Sequence, residues 1–184
     1  MLFSHDTEVA LADAASLVNT LSDDGDALTT LPELAAWLAA HRVSGTQLQT
    51  ADELDSVRAL RTQLRTMWTA RDRDEAAGIV NALLEASHAQ PYLSRHDEWD
   101  WHLHVTRPDA PLASRLGAEA AMGFLDLVRE DQLGRLRRCG ADDCDDVYVD
   151  LSRNSSKRFC DTGNCGNRTN VAAYRARKRA AAVG

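Results

Sequence analysis

Apolar residues recur at a helical spacing through most of the first two thirds of the chain. Positions three and four apart share one face of a helix, so this pattern predicts a largely helical body. The predicted helices run over Glu8–Leu21, from Thr30 to about Ala40, from Thr50 onwards as a long helix, over about Asp74–Ser87, and from Pro111 to about Gln132.

Two of these helices carry a capping signal at their start. Thr30 precedes Glu33, and Thr50 precedes Glu53, by the three residues that form a capping box. The long helix after Thr50 places its apolar side chains on one face. Its other, polar face is expected to carry Asp55, Arg58, Arg61 and Arg65.

The spacing changes to a period of two after the fourth helix. Apolar and polar residues alternate from Trp99 to Thr106, which predicts a half-buried strand with Trp101 and Leu103 on the buried face. Pro91–Leu93 is its expected hairpin partner. The N-terminal part of the chain therefore predicts an α+β fold that is mostly α, with a small β-hairpin.

A third pattern fills the C-terminal quarter. Val147–Leu151 is β-branched and aromatic, and we expect it to pair with Lys157–Phe159 across a serine-rich turn. A helix is expected over Thr169–Ala180. With a boundary at Gly134, the predicted domains are 1–133 and 134–184, and so short a linker implies that the second domain packs on the first.

All four cysteines lie in the second domain, as the knuckles Cys139-x4-Cys144 and Cys160-x4-Cys165. Two such knuckles supply the four thiolates of a tetrahedral, closed and therefore structural zinc site, which predicts one Zn²⁺. The alternatives are two disulfides, which the missing secretory segment argues against, and an iron–sulfur cluster, which two even knuckles suit less well.

The sequence Cys165-Gly-Asn-Arg168, together with the Arg158-Phe-Cys160 and Tyr174-Arg-Ala-Arg177 segments, resembles the CGNR zinc-finger family of bacterial transcription regulators. The order of knuckle, hairpin, knuckle and helix resembles a treble-clef-like finger. The resemblance implies zinc on all four cysteines and a role in binding DNA.

The N-terminal part resembles a second family. The segments Leu17–Thr20, Gly25–Leu28 and Leu34–Leu38 are similar to the ABATE domain, a stress-related regulatory module that usually precedes a CGNR finger. This resemblance spreads over roughly the first 130 residues. It implies an α-rich domain that senses a ligand.

The net charge of −7 is divided unevenly. Residues 134–184 contain eleven Lys/Arg and six Asp/Glu, a net charge of +5, whereas residues 1–131 carry −12. An acidic body with a basic end is expected when only that end meets a polyanion such as DNA. The candidate phosphate contacts are Arg153, Lys157, Arg158, Arg168, Arg175, Arg177, Lys178 and Arg179.

These cations also have a second interpretation as solvated residues near a helix C-terminus. For Arg168 we favour a structural role, in which it ties the knuckle together rather than touching DNA. On the helix, Val171 and Tyr174 are expected to pack on the finger. A zinc-stapled module that binds other proteins, without direct DNA contact, is therefore the alternative function.

Candidate ligand-binding residues in the N-terminal domain are Asn19, Asp26, Trp37, Trp101 and His104. Their alternative is structural, because tryptophans commonly fill cores and Asn19 and Asp26 stand at a helix end and a turn. No nucleophile–base pair is visible, so we expect no enzyme. With no apolar run of membrane-spanning length and no signal peptide, we expect a cytoplasmic protein without membrane contact. A homodimer stays open as an assembly, since a lone finger is a modest reader of DNA, although no heptad seam supports it.

Overall fold

The structure is a computed structural model that describes residues 3–95 and 101–183. Within these residues, six α-helices make up about half of the chain: α1 (His5–Asn19), α2 (Leu31–Ala40), α3 (Ala51–Arg65), α4 (Arg73–Ala86), α5 (Leu112–Arg129) and α6 (Cys165–Val183). Three two-stranded antiparallel sheets pair β1 (Leu21–Ser22) with β2 (Gly25–Asp26), β3 (Tyr92–Ser94) with β4 (His102–His104), and β5 (Leu136–Arg138) with β6 (Val147–Val149). The fold is mostly helical with small β-hairpins, as predicted. Among the helices of the described residues, none is long and apolar enough to cross a membrane.

Helix α5 is the centre of the body. It packs against α1, α3 and α4, and its Phe124 and Leu127 are fully buried. Gly123 brings α5 close to α1, because a Cβ at this position would lie 3.0 Å from Leu11 Cγ. The amphipathic helices of the sequence thus share one apolar core.

The predicted caps are observed with two differences. Helix α1 begins at His5, three residues earlier than expected, because the hydroxyl of Ser4 accepts the N–H of Thr7 at 3.3 Å. Thr30 and Glu33 form the full capping box. At the third helix only half of the box forms, since the carboxylate of Glu53 accepts the N–H groups of two earlier loop residues instead.

The expectation that Arg61 lies on the polar face of α3 is wrong. Its side chain is 5% exposed, and its guanidinium donates two hydrogen bonds to Asp26, at 2.7 and 2.5 Å. The tight β1–β2 turn places Asp26 over the middle of α3. The charge of Arg61, which the helical pattern assigned to the solvent side, is therefore buried in an ion pair. The hydrogen bond from Arg61 is the main reason that the pKa of Asp26 falls from 3.8 to about 2.

The small hairpin forms between the predicted partners, with Tyr92 opposite His104. Its buried face was predicted incorrectly: Trp101 is 64% exposed and Leu103 is 41% exposed, while Val105 at the base is 2% exposed. Among the described residues of this hairpin, those buried by the body lie at its base, so alternation does not decide burial at Trp101 and Leu103. Trp99 lies outside the described residues.

The expected pairing of Val147–Leu151 with Lys157–Phe159 is also wrong. Strand β6 pairs instead with β5, which precedes the first cysteine, so the first knuckle is the loop of this hairpin. Residues 150–157 do not continue the ladder because the carboxylate of Asp150 accepts the N–H of Lys157 at 2.9 Å.

The β5–β6 hairpin joins the C-terminal region to the helical body. Val147 and Val149 belong to the main core, and the side-chain amide of Asn19 both donates to the carbonyl of Val147 and accepts its N–H, each at 2.8 Å. The indole of Trp68 donates to the carbonyl of Tyr148 at 3.0 Å. The C-terminal region therefore packs on the body, as the short linker predicted.

Replacing Asn19 by alanine should lower the free energy of unfolding by about 1–3 kcal/mol, because both backbone groups of Val147 lose their partner. Urea unfolding should show a lower midpoint with an unchanged m-value. Asn81→Ala, at an exposed position of α4, is the matched control and should stay within about 0.5 kcal/mol of the parent protein. An Asn19→Ala protein as stable as this control would contradict the joining role.

Asp26→Asn should destabilise the protein at pH 7 and progressively less in acid. Since the folded pKa of Asp26, about 2, lies below its ordinary 3.8, the ion pair stabilises the fold above that ordinary value and the contribution is lost as pH falls toward 2. The shift corresponds to about 2 kcal/mol. Unfolding curves between pH 7 and pH 3, with exposed Asp24→Asn as control, measure this difference; a pH-independent gap would contradict it.

Candidate metal centre and basic helix

Four cysteine sulfurs converge between the β5–β6 hairpin and the start of α6. All four lie within 4.8 Å of one another, with Cys144 Sγ 3.8 Å and Cys165 Sγ 3.6 Å from Cys160 Sγ. Cys160 and Cys165 are buried, and the other two are half-buried. None of the four is part of a disulfide, so the alternative of two disulfides does not apply to this structure.

The spacing of the sulfurs fits a single tetrahedral ion. Four thiolates at about 2.3 Å from one Zn²⁺ lie about 3.8 Å from each other, which is close to the two distances above. An iron–sulfur cluster would need wider spacing, because several metal and sulfide atoms lie between its cysteines. The residues present therefore fit a zinc ion with a closed coordination sphere.

The protonation of these thiols determines how metal binding would depend on pH. Burial raises the pKa of Cys144 and raises that of Cys160 to about 11. Burial also raises the pKa of Cys139, but the hydrogen bonds from the N–H groups of Cys160 and Ala141 and from the neighbouring thiols together outweigh it, so this pKa is lowered. A metal that binds here replaces the protons of the buried thiols, so binding weakens in acid.

Arg168 links the second knuckle to the first. Its guanidinium lies 3.3 Å from Cys165 Sγ and 3.1 Å from an Asp143 carboxylate oxygen. Helix α6 starts at Cys165, four residues earlier than predicted, so Arg168 lies in its first turn. This geometry supports the structural interpretation of Arg168.

The ring of Phe159 packs between the glycines that follow the first and last cysteines. A Cβ at Gly166 would lie 3.2 Å from this ring, and one at Gly140 would lie 2.8 Å from the carbonyl of Arg158. Gly140 also donates its N–H to that carbonyl at 2.8 Å. The packing of the finger therefore requires a glycine after the first cysteine and after the last. The repeated Cys-Gly pair is the feature of the sequence from which this requirement could have been predicted.

Asp150 organises the loop between the knuckles, a role that sequence reasoning missed. Its fully buried carboxylate accepts the N–H of Ser152 at 3.0 Å and of Lys157 at 2.9 Å, and Arg137 approaches it at 3.3 Å. Burial raises the pKa of Asp150, but the hydrogen bonds from Ser152 and Lys157 and the charge of Arg137 outweigh it, so the pKa is lowered.

The candidate phosphate contacts separate into two groups. Lys157 is held by an ion pair with Asp161 and lies 5.3 Å from the Tyr148 ring, and Arg168 is held by the knuckle. The other six, all exposed, are Arg153, Arg158, Arg175, Arg177, Lys178 and Arg179.

Helix α6 is exposed over most of its length. Every residue from 170 to 179 is exposed, including Val171 at 38% and Tyr174 at 60%. The expectation that these two side chains pack on the finger is therefore wrong, because the helix leaves the finger after its first turn.

The candidate ligand residues of the body do not form one pocket. Asn19 lines a groove of about 710 Å³ between α1 and the C-terminal region, whereas Trp37 lines a separate cavity of about 20 Å³. The carboxylate of Asp26 is paired with Arg61. Trp101 and His104 lie on the β3–β4 hairpin, where His104 stacks on Tyr92 at 5.7 Å between ring centroids.

A polar chain in the body was invisible in the sequence, because its members are far apart. Ser16 Oγ lies 2.9 Å from His41 Nε2, and His41 Nδ1 lies 2.6 Å from an Asp13 carboxylate oxygen. The indole N–H of Trp37 donates to Ser16 Oγ at 3.2 Å, and its ring stacks on His41 at 4.3 Å. The pairing of a serine hydroxyl with an imidazole and a carboxylate is the arrangement that activates nucleophiles.

Comparison with known families gives two matches in chain order. Residues 12–131 match the family model ABATE, described as "Putative stress-induced transcription regulator", and residues 135–178 match the model described as the CGNR zinc finger. The first match covers well over half of the chain. A search of curated proteins gives no match.

The purified chain should contain about one zinc ion, because four thiolates close one coordination sphere. Cys165→Ser should bind zinc far more weakly, while Thr162→Ala, an exposed position between the last two cysteines, should retain it. Elemental analysis after dialysis against a chelator at pH 8 and at pH 5 measures both contents, and the loss should be greater at pH 5. Equal zinc in the two variants would overturn the assignment.

Proposed function

The chain belongs to the ABATE family and carries a CGNR zinc finger, and on this premise we propose that it is a transcription regulator that binds DNA through α6. The finger and the family descriptions support the regulatory role. The DNA contact rests on the single observation that α6 is a basic helix exposed to solvent.

The shape and charge of α6 suit a DNA groove. The helix has 19 residues, which corresponds to about 28 Å, and the major groove is wide enough to admit it. Its second half carries Arg175, Arg177, Lys178 and Arg179 and no acidic residue. These four side chains can neutralise phosphates, and the acidic body limits contact to this end of the molecule.

The metal site would hold the helix in position for this contact. A short helix without tertiary packing is marginal in water, so α6 needs a fixed first turn and a partner along its length. The metal would provide the first through Cys165, and DNA would provide the second. We therefore assign phosphate contacts to the exposed cations of α6, with Arg153 and Arg158 of the loop, and leave Lys157 and Arg168 to hold the finger.

The first knuckle faces the protein in this proposal. Asp143 is paired with Arg168, and Asp145 lies 3.5 Å from Arg65 and accepts the N–H of Asp23 at 3.1 Å. These carboxylates would repel phosphates, so the DNA-facing side is the one that α6 and the loop arginines present.

Control by a small ligand is the second part of the proposal. The groove of about 710 Å³ has one wall from α1, including Ala12 and Ala15, and one from the finger, including Tyr148 and Leu151. Its volume is that of a typical small-molecule site. A ligand there would contact both proposed units, 1–133 and 134–184, and so shift the finger relative to the body.

A zinc-stapled module that binds proteins is the alternative function. The observation that favours it is the exposure of Val171 and Tyr174, which place apolar surface on α6. A helix with such a stripe can dock on a protein groove or on a second copy of the chain.

The double variant Arg175→Ala/Arg179→Ala should weaken DNA binding uniformly across sequences and reduce the slope of log K against log salt by about 2, one for each lost phosphate contact. The matched control is Arg71→Ala/Arg107→Ala, which removes the same charge from exposed positions of the body and should leave the slope unchanged. Fluorescence anisotropy on duplex DNA between 50 and 300 mM salt measures both. If both double variants lost the same DNA affinity, the loss would reflect net charge alone and not phosphate contacts of α6. If the parent protein did not bind DNA, the protein-binding alternative would be favoured.

A further inference from the structure

The side chains of Asp13, Ser16 and His41 form a directed chain of hydrogen bonds at the surface of the body. Asp13 and Ser16 lie one turn apart on α1, and His41 directly follows α2. The distances are 2.9 Å from Ser16 Oγ to His41 Nε2 and 2.6 Å from His41 Nδ1 to Asp13 Oδ1. These lengths fit a serine, an imidazole and a carboxylate that act together.

The direction of each hydrogen bond follows from the groups at the two ends. The indole N–H of Trp37 can only donate, and a carboxylate can only accept. Asp13 therefore takes the proton of His41 Nδ1, which leaves Nε2 as an acceptor for the hydroxyl proton of Ser16. In this arrangement His41 is placed to remove a proton from Ser16 Oγ.

Ser16 also borders a groove in the surface of the protein. It is half-buried and lines the groove of about 710 Å³ between α1 and the finger. Ala12, Ala15 and Ala27 line the same groove, so its walls near Ser16 are small and apolar. An acyl group of a few carbons is the kind of substrate that such a surface accepts.

We propose that Ser16 is a nucleophile activated by His41 and Asp13, and that it accepts the acyl group of small carboxylic esters bound in this groove. This activity is independent of DNA binding. Ser16 and His41 are the catalytic residues of the proposal, and Asp13 and Trp37 are positioning residues.

The proposed acyl transfer needs only the ester and water. Ser16 Oγ attacks the ester carbonyl carbon while His41 Nε2 takes the hydroxyl proton. The bond from carbon to the leaving oxygen breaks, the proton passes from His41 to that oxygen, and an alcohol departs. Water then adds to the acyl-serine by the reverse proton transfers, which releases a carboxylic acid and restores Ser16.

The surroundings of Ser16 predict slow turnover. Ser16 lies inside a helix, where the backbone N–H groups already serve the helical hydrogen bonds, so they do not form an oxyanion hole. The indole N–H of Trp37 is the neighbouring donor. Since each missing oxyanion donor costs about 10²–10³ in rate, we expect both acylation and deacylation to be slow. A p-nitrophenyl ester should still acylate Ser16 faster than the acyl-serine is hydrolysed, because p-nitrophenolate is a far better leaving group than the serine alkoxide.

A fluorophosphonate probe tests the nucleophile on the full chain. Its phosphorus forms a bond to Ser16 Oγ and loses fluoride, while His41 takes the proton. We expect one adduct per chain by intact mass, located on Ser16 by peptide mapping. p-Nitrophenyl butyrate should give a burst of p-nitrophenol of about one equivalent before a slow phase.

Three variants decide the outcome. Ser16→Ala should abolish the adduct, and His41→Gln, which keeps a polar side chain without a base, should slow labelling roughly 100-fold or more. Ser56→Ala is the matched control, because Ser56 is an exposed helical serine whose hydroxyl donates to the carbonyl of Asp52 rather than to an imidazole; this variant should label like the parent. Circular dichroism and the unfolding midpoint confirm that each variant is folded. The proposal is overturned if the folded parent forms no adduct, or if His41→Gln leaves the labelling of Ser16 unaffected. The hydrogen bonds between these side chains would then serve only to join α1 and α2.

Discussion

One short strand belongs to two cores, and the rest of the structure depends on it. In β6, Val147 and Val149 point into the helical body, while Tyr148 between them packs with the cysteines of the finger. Side chains of a strand alternate between its two faces, so a strand of three residues can serve both. The side chain of Asn19 then fixes the position of β6 along α1 through both backbone groups of Val147. The finger is therefore built on a strand that the body already holds.

Within the finger, small and buried groups allow the two knuckles to meet. Gly166 leaves room for the Phe159 ring and Gly140 for the carbonyl of Arg158, and Asp150 closes the loop that brings Phe159 and Cys160 back to the hairpin. A finger of this size has too little apolar surface for a core of its own. A metal at the four sulfurs and a shared strand with the body would supply what this small core lacks.

The charges are arranged so that the two ends of the finger differ. The acidic first knuckle is occupied by contacts within the protein, through Asp143 to Arg168 and Asp145 to Arg65. The cations of α6 beyond its first turn are exposed. Proteins that bind polyanions commonly separate their charges in this way, because attraction at one surface is then not cancelled by a neighbouring carboxylate. The groove between α1 and the finger lies beside this junction, and it is the place where the proposed ligand would contact both parts.

Local patterns in the sequence were enough to predict the helices, the four-cysteine cluster and the division of charge. Helical periodicity, the Thr30–Glu33 capping box and cysteine spacing depend on residues a few positions apart, so they act before tertiary contacts form. Tertiary structure decided which strand pairs with β6. The carboxylate of Asp150 closes the loop after β6, so residues 157–159 do not pair with it, and the strand before Cys139 pairs with β6 instead. It also decided that Arg61 is buried, since its partner Asp26 comes from a turn 35 residues earlier. Ser16 and His41 meet for the same reason: a helical pattern gives each residue a face, but only the packing of two helices determines which side chains of those faces touch.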